Sequence, residues 1–397
     1  MNISEIVDFL HQNHNNSLIL NPTENIPWDP EMSTDFLQGM YVPEFERDET
    51  DKVIFAGRPA IKGVQNNIYS PWQELLGTSK LSMKYHSGLD AHIILFMSVS
   101  EIGDKVLLLP ENAGGHFSTH QILERLGLEV IEIPILLEER RVDQKATLEI
   151  IEKQKPQFIF IDRSEGLNYE DFSWLRGRNE LCKIYDASQY LTHIIANHYI
   201  SPFQMGFDII VSTLHKNYPG NQKAAVFTLE ESPYWEKIEM GLRTYISNIH
   251  PKDIFDIMLA TPSLDEIVAY SDAVLSNASA LDKELKKLHI PVVDRINSVP
   301  HTQHIWIQAG SQGRAYTFFR NLEELRIFTN YRLLPYNLGY GLRLGTAAAT
   351  RQGMRPSDAA EVAEILAEVW HEGKVTHHVE THAKDMISRI HRNGAGV

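Results

Sequence analysis

Short apolar runs recur through the middle of the chain, at 106–109, 130–135, 158–161, 182–185, 209–211 and 224–228. They are short and bounded by polar turns, the pattern of strands buried on both faces. Segments of helical period lie between most of them, for example 118–126 and 148–153. Strand and helix in alternation predict a mostly parallel sheet covered on both sides. Ahead of this region, Ile6, Phe9 and Leu10 mark a short amphipathic helix over 4–14, and an extended segment follows at 18–25. Residues 26–70 are irregular and charged, yet hold Trp28, Phe36, Tyr41, Phe45, Phe55 and Tyr69. That makeup suits an ordered, functional loop. A helix closes at 72–77, and the turn 85–92 leads into an apolar helix over 93–99.

Residues 230–290 read as helical and leave the sheet. The remainder, 291–397, reads as a second unit with strands at 302–308 and around 341–344 and helices at 321–330 and 357–372. In the latter helix Val362, Ile365, Leu366, Val369 and Trp370 share one face. His377, His378, His382 and His391 in the tail fit a solvated helix better than a metal site. The division expected is an N-terminal arm over 1–30, a large domain over 31–260 and a small domain over 261–397.

The length of 397 residues suits two domains. A net charge of -15 argues against nucleic-acid and acidic-membrane partners. Cys182 is the single cysteine, which forbids an internal disulfide and suits a reducing compartment. No basic leader precedes an apolar core, and no run is long enough to span a bilayer. A cytoplasmic protein is expected.

Ligands of parallel sheets sit at the carboxyl ends of the strands. Here those ends carry Glu111-Asn112, Asp162-Arg-Ser164, Asp186 and Ser212 to Lys216. A strand that delivers Lys216 beside small hydroxyl residues can present an amine to a carbonyl compound; pyridoxal phosphate is the commonest carbonyl so held. A surface lysine is the plainer reading of that stretch alone. Asp186 ends another strand, where a buried carboxylate needs a cation or serves as a helix cap. Ser87-Gly88 opens a helix, where small residues let backbone N–H groups reach a phosphate or merely form a turn. Arg343 lies between glycines, placed either for a bidentate grip on a carboxylate or for an ion pair.

Together these segments resemble serine hydroxymethyltransferase and its relatives of pyridoxal phosphate fold type I. The resemblance rests on Leu20-Asn-Pro-Thr-Glu-Asn25, His86-Ser-Gly-Leu-Asp-Ala91, Asp186-Ala-Ser-Gln-Tyr-Leu-Thr-His193, His215-Lys216 and Gly341-Leu-Arg-Leu-Gly-Thr-Ala-Ala-Ala-Thr-Arg351, in family order over about 18–370. Tyr218-Pro-Gly-Asn-Gln222 and Ser247-Asn-Ile-His250 look closer to the threonine transaldolase branch. The resemblance implies an α/β fold of the aspartate aminotransferase-like kind, with a mostly parallel seven-stranded sheet and a smaller α+β C-terminal domain. It implies pyridoxal 5'-phosphate in a Schiff base with Lys216, with Asp186 on the ring nitrogen and Ser87 and Gly88 on the phosphate. Ser164 would lie near the phenolic oxygen, His215 on the phosphate side of the lysine and Arg343 on the substrate carboxylate. Glu44 is the nearest match to the family's active-site glutamate. It further implies a homodimer, because relatives build each site from two subunits.

The departures are specific. The family's His-Gly-Gly-His is Ala113-Gly-Gly-His116, which leaves His116 or Phe117 to cover the ring. Gln189 stands for the histidine after the aspartate, and Ile54-Phe55 for paired tyrosines. Residues 244–253 replace the glycine-rich segment that reaches the partner subunit's phosphate. Folate positions are not recognisable. The activity expected is aldol or retro-aldol chemistry at the Cα–Cβ bond of an amino acid, with an aldehyde or one-carbon partner. The alternatives are another pyridoxal phosphate reaction, such as transamination, and a non-enzymatic relative.

Overall fold

The computed structural model describes residues 16–23, 25–28, 34–42, 69–296 and 301–394. The helix expected over 4–14, Glu44 and the Ile54-Phe55 pair lie outside them. The chain forms two compact units. One comprises Pro27–Glu165 with Glu170–Val268; the other comprises Met1–Ile26, Gly166–Tyr169 and Ala269–Val397.

In the first unit seven strands make one sheet: β1 (Leu81–Tyr85), β2 (Lys105–Leu108), β3 (Glu129–Glu132), β4 (Phe158–Ile161), β5 (Cys182–Asp186), β6 (Ile209–Thr213) and β7 (Ala224–Thr228). Their order is β1-β7-β6-β5-β4-β2-β3. Strand β7 runs antiparallel to both neighbours, and the pairs from β6 to β3 are parallel. Every residue of β4, β5, β6 and β7 is buried, which is why these strands are built mainly from apolar residues. Strand β1 was not anticipated. Its Leu81, Met83 and Tyr85 alternate with Ser82 and Lys84 at the sheet's edge, so it lacks a long apolar run.

Helix α1 (Ser70–Leu76) starts with proline in its first turn and stops at Gly77 in the left-handed region. Helix α2 (Gly88–Val99) begins earlier than its apolar run. The Ser87 side chain accepts the Asp90 N–H at 3.1 Å, and the Asp90 carboxylate accepts the His86 N–H at 2.8 Å. That reciprocal cap satisfies donors that the first turn leaves open. The α2 face that includes His92, Leu95 and Phe96 is buried, with Phe96 5.4 Å from Phe160 of β4.

The stretch expected to be helical carries helices at Trp235–Tyr245, Pro251–Leu259 and Leu264–Lys287. In the second unit an antiparallel sheet has the order β8-β10-β9, from β8 (His304–Gln308), β9 (Asn330–Leu334) and β10 (Gly339–Gly345). Helices α3 (Gln312–Glu324), α4 (Ala359–Glu372) and α5 (His377–Gly394) accompany it. The helix expected at 321–330 is a correction: α3 ends at Glu324, Arg326 turns left-handed at φ +59°, and Ile327–Phe328 is a strand. The tail helix α5 is also more than a solvated one. It buries Val379, Ala383, Met386, Ile387 and Ile390, while His382 meets Glu361 at 3.1 Å. Among the described residues no helix is long and apolar enough to cross a membrane.

Candidate active site

Strand register brings the central acid and the lysine loop together. Asp186, the last residue of β5, pairs with Val211 of β6, two positions before Thr213. Ser188 then ties the two strand ends. Its N–H donates to Asp186 Oδ1 at 2.7 Å, and its hydroxyl accepts the Thr213 N–H at 2.8 Å. Beyond Thr213 the loop carrying Lys216 is braced on both sides. The Thr192 N–H donates to Asn217 Oδ1 at 2.7 Å, and the Thr192 hydroxyl donates to the Asn217 carbonyl at 3.0 Å. Tyr218 is buried 4.8 Å from the Trp72 ring of α1, and the Gly220 N–H closes the turn onto Leu214 O at 2.7 Å. Lys216 itself is half-buried at the mouth of this rigid turn.

Asp186 has a second partner that sequence reading missed. His92 Nε2 of α2 lies 2.7 Å from Asp186 Oδ2, with both residues buried. Burial alone would neutralise the acid. The hydrogen bond and charge of His92, the charge of Lys216 and the Ser188 side chain outweigh it and hold Asp186 below the usual carboxylate range. Burial likewise opposes charge on His92, but Asp186 and Asp162 raise its affinity for a proton above the ordinary value. His92, Asp162 and Asp186 could in principle share a metal, since their ligand atoms lie within 4.8 Å of one another. The direct bond from His92 Nε2 instead occupies the Asp186 oxygen, while His92 Nδ1 is buried with no hydrogen-bond partner among the described residues.

The other expected residues take the following places. His116 is half-buried, and the charges of Asp162, His92, Lys216 and Asp186 all act on it, although burial is the main reason its pKa is lowered. Phe117 is 64% exposed with its ring stacked on His116, and Ala113 is wholly buried. The charges of Lys216 and Asp186 act on His116. His215 is pushed down to about 4, first by burial and then by the Lys216 charge, so it is neutral at neutral pH. Gln189 is buried after β5, and Ser164 is half-buried after β4. Ser87 and Gly88 open α2, and a side chain on Gly88 would strike Thr213.

Arg343 belongs to the other unit. It is buried in β10, opposite Trp306 of β8 and Asn330 of β9. Gly341 precedes it on the same face, where any Cβ would sit 2.1 Å from the Ile307 carbonyl. The glycine of that motif therefore serves strand packing. Glu44 lies outside the described residues.

The donor set fits pyridoxal phosphate. A paired, ionised Asp186 suits a cationic ring nitrogen, and Lys216 supplies the amine for an aldehyde. Thr213 Oγ1, His86 Nδ1 and His215 Nδ1 are buried polar atoms with no hydrogen-bond partner among the described residues. Buried polar atoms are rarely left so without a ligand or water to meet them.

Comparison with known proteins agrees. No family model matches the sequence. The chain is 26% identical over 307 residues to a serine hydroxymethyltransferase of Staphylothermus marinus, covering 74% of this chain and 70% of that protein. It is 23% identical over 349 residues to the Picrophilus torridus serine hydroxymethyltransferase, covering 85% and 81%. Among solved structures, L-threonine transaldolase from Pseudomonas fluorescens, in its internal aldimine state, superposes with a TM-score of 0.88 at 21% identity, over 98% of this chain and 91% of that one. The chain is therefore serine hydroxymethyltransferase-like, with the architecture of pyridoxal phosphate fold type I.

Proposed function

We propose that this chain is a pyridoxal phosphate enzyme that makes or breaks the Cα–Cβ bond of a β-hydroxy amino acid. Support comes from the convergence of Lys216, Asp186 and His116 at the carboxyl ends of β5 and β6. When bound, the cofactor supplies an electron sink for charge developing at the substrate's α-carbon. The protein's own part is binding and aim. Lys216 is the amine that holds the coenzyme covalently, and Asp186 keeps a proton on its ring nitrogen. Ser87 and Gly88 take the phosphate, His116 covers one ring face, and Ser164 and Gln189 serve the phenolic side. Arg343 takes the substrate carboxylate, which selects the bond to be broken. His215 stays neutral on the phosphate side of the lysine, and Glu44 handles a proton at the substrate hydroxyl. A homodimer and a cytoplasmic location go with this reading.

The test is to load the purified chain with pyridoxal phosphate and supply glycine, serine or threonine, with and without folate. Aldehyde released from threonine or serine supports the reading. Conversion of the bound coenzyme to its pyridoxamine form points to transamination instead. No coenzyme uptake refutes both.

A further inference from the structure

We infer that His92 is a positioning residue for Asp186, fixing the carboxylate's plane and charge so that it meets a cationic ring nitrogen in one orientation. The inference rests on the coenzyme reading above and adds a residue to it.

The geometry carries the argument. The two oxygens of Asp186 are held by different groups: Oδ2 by His92 at 2.7 Å and Oδ1 by the Ser188 N–H at 2.7 Å. A carboxylate gripped at one oxygen can still swing about that contact; gripped at both, it cannot. An ionised carboxylate accepts at about four lone-pair sites, so capacity remains for an incoming donor. His92 is itself immobile. Its side chain is 5% exposed, and its ring stands edge-on to Phe160 with centroids 4.9 Å apart. Asp162, just past β4, lies close by, with one ligand atom each from Asp162, His92 and Asp186 within 4.8 Å of the others, and its carboxylate accepts the Thr119 hydroxyl. Asp162, His92 and Asp186 thus form one buried cluster, joined by the His92–Asp186 bond and anchored at Asp162 by Thr119.

Charge has the same direction. Two carboxylates, Asp162 and Asp186, face His92, and the nearby groups of like sign are Lys216 and His116. A histidine bonded to one buried acid and close to a second is favoured in its protonated form. It then donates to Asp186 and keeps that acid from taking the ring nitrogen's proton. A plain helix-to-strand packing role would need neither the hydrogen bond nor the charge.

The experiment compares wild type with His92→Asn and His92→Leu, each loaded with pyridoxal phosphate. Two quantities are read: the dissociation constant, and the pH midpoint of the visible band of the lysine-bound coenzyme. His92→Leu removes bond and charge, and is expected to weaken coenzyme binding about tenfold. His92→Asn keeps a donor and is expected to bind within about threefold of wild type, as the amide can still reach the carboxylate. In both variants the midpoint rises, because a positive charge near the lysine nitrogen is gone. Unchanged affinity and midpoint in His92→Leu overturn the inference. Should that variant fail to fold, the midpoint of His92→Asn decides alone, and an unshifted value overturns it. Failure of wild type to give any lysine-bound coenzyme is a different result: it removes the underlying reading and this inference with it.

Discussion

A methyl group on Gly88 would lie 2.5 Å from Cγ2 of Thr213. The start of α2 and the end of β6 are therefore in contact through a residue that has no room for a side chain, and Thr213 is β-branched and stiff. Gly88→Ala is expected to cost about 1–3 kcal/mol as an overpacked site, seen as a lowered unfolding midpoint. Thr213→Val keeps the shape and removes a hydroxyl that has no partner among the described residues. It should leave stability nearly unchanged and weaken coenzyme binding. Binding equal to wild type would show that this hydroxyl does not face the ligand.

Lys216→Ala should abolish covalent coenzyme attachment, because the amine is the sole group assigned that bond. Borohydride treatment followed by mass spectrometry checks it. Asp186 retains His92 and Ser188 as partners, so the variant should still fold. A trapped adduct in Lys216→Ala would refute the assignment.

Arg343 is expected to serve the substrate and not the coenzyme. Arg343→Lys keeps the charge but loses the bidentate fork. The expected outcome is a KM for the amino acid raised at least tenfold with pyridoxal phosphate affinity unchanged, an estimate that follows from one lost charge-assisted bond of about 1.5 kcal/mol or more. A raised coenzyme dissociation constant would place Arg343 elsewhere in the mechanism.

His215 gives the coenzyme-free protein a pH dependence of definite sign. In the unfolded chain it titrates near 6.5, and in the folded chain near 4. Between those values the unfolded state binds a proton that the folded state refuses. This contribution to stability is present above pH 6.5 and lost as pH falls towards 4. The loss is on the order of 2–3 kcal/mol. His215→Asn should flatten that limb of a denaturation series run from pH 7 to 4; an unaltered slope would contradict the assignment.

The proposed homodimer predicts a sedimenting species of twice the chain mass. Activity confined to a strict monomer would refute it.

The interior strands were legible because burial on both faces favours apolar runs, as in Phe158–Ile161 and the Ile209-Ile-Val211 that opens the next strand but one. Asp186 at a strand end, Lys216 just past one and Ser87-Gly88 at a helix start stand where the pattern put them, because strand ends and helix starts are where a parallel sheet exposes polar residues. Strand β1 was harder, since an edge position lets Ser82 and Lys84 interrupt the apolar residues. The helix expected at 321–330 failed because helical period is a local signal. A single left-handed residue at Arg326 turned the chain from α3 into strands.

The local pattern of side chains was thus enough to determine the strand–helix alternation and the residue types able to hold a coenzyme. It could not show that His92, read as the last residue of a turn, would meet an acid 94 positions away. Nor could it show that Ser188 would join two strand ends. Those pairings depend on strand order and register, which bring distant segments side by side. Periodicity along the chain carries no record of them.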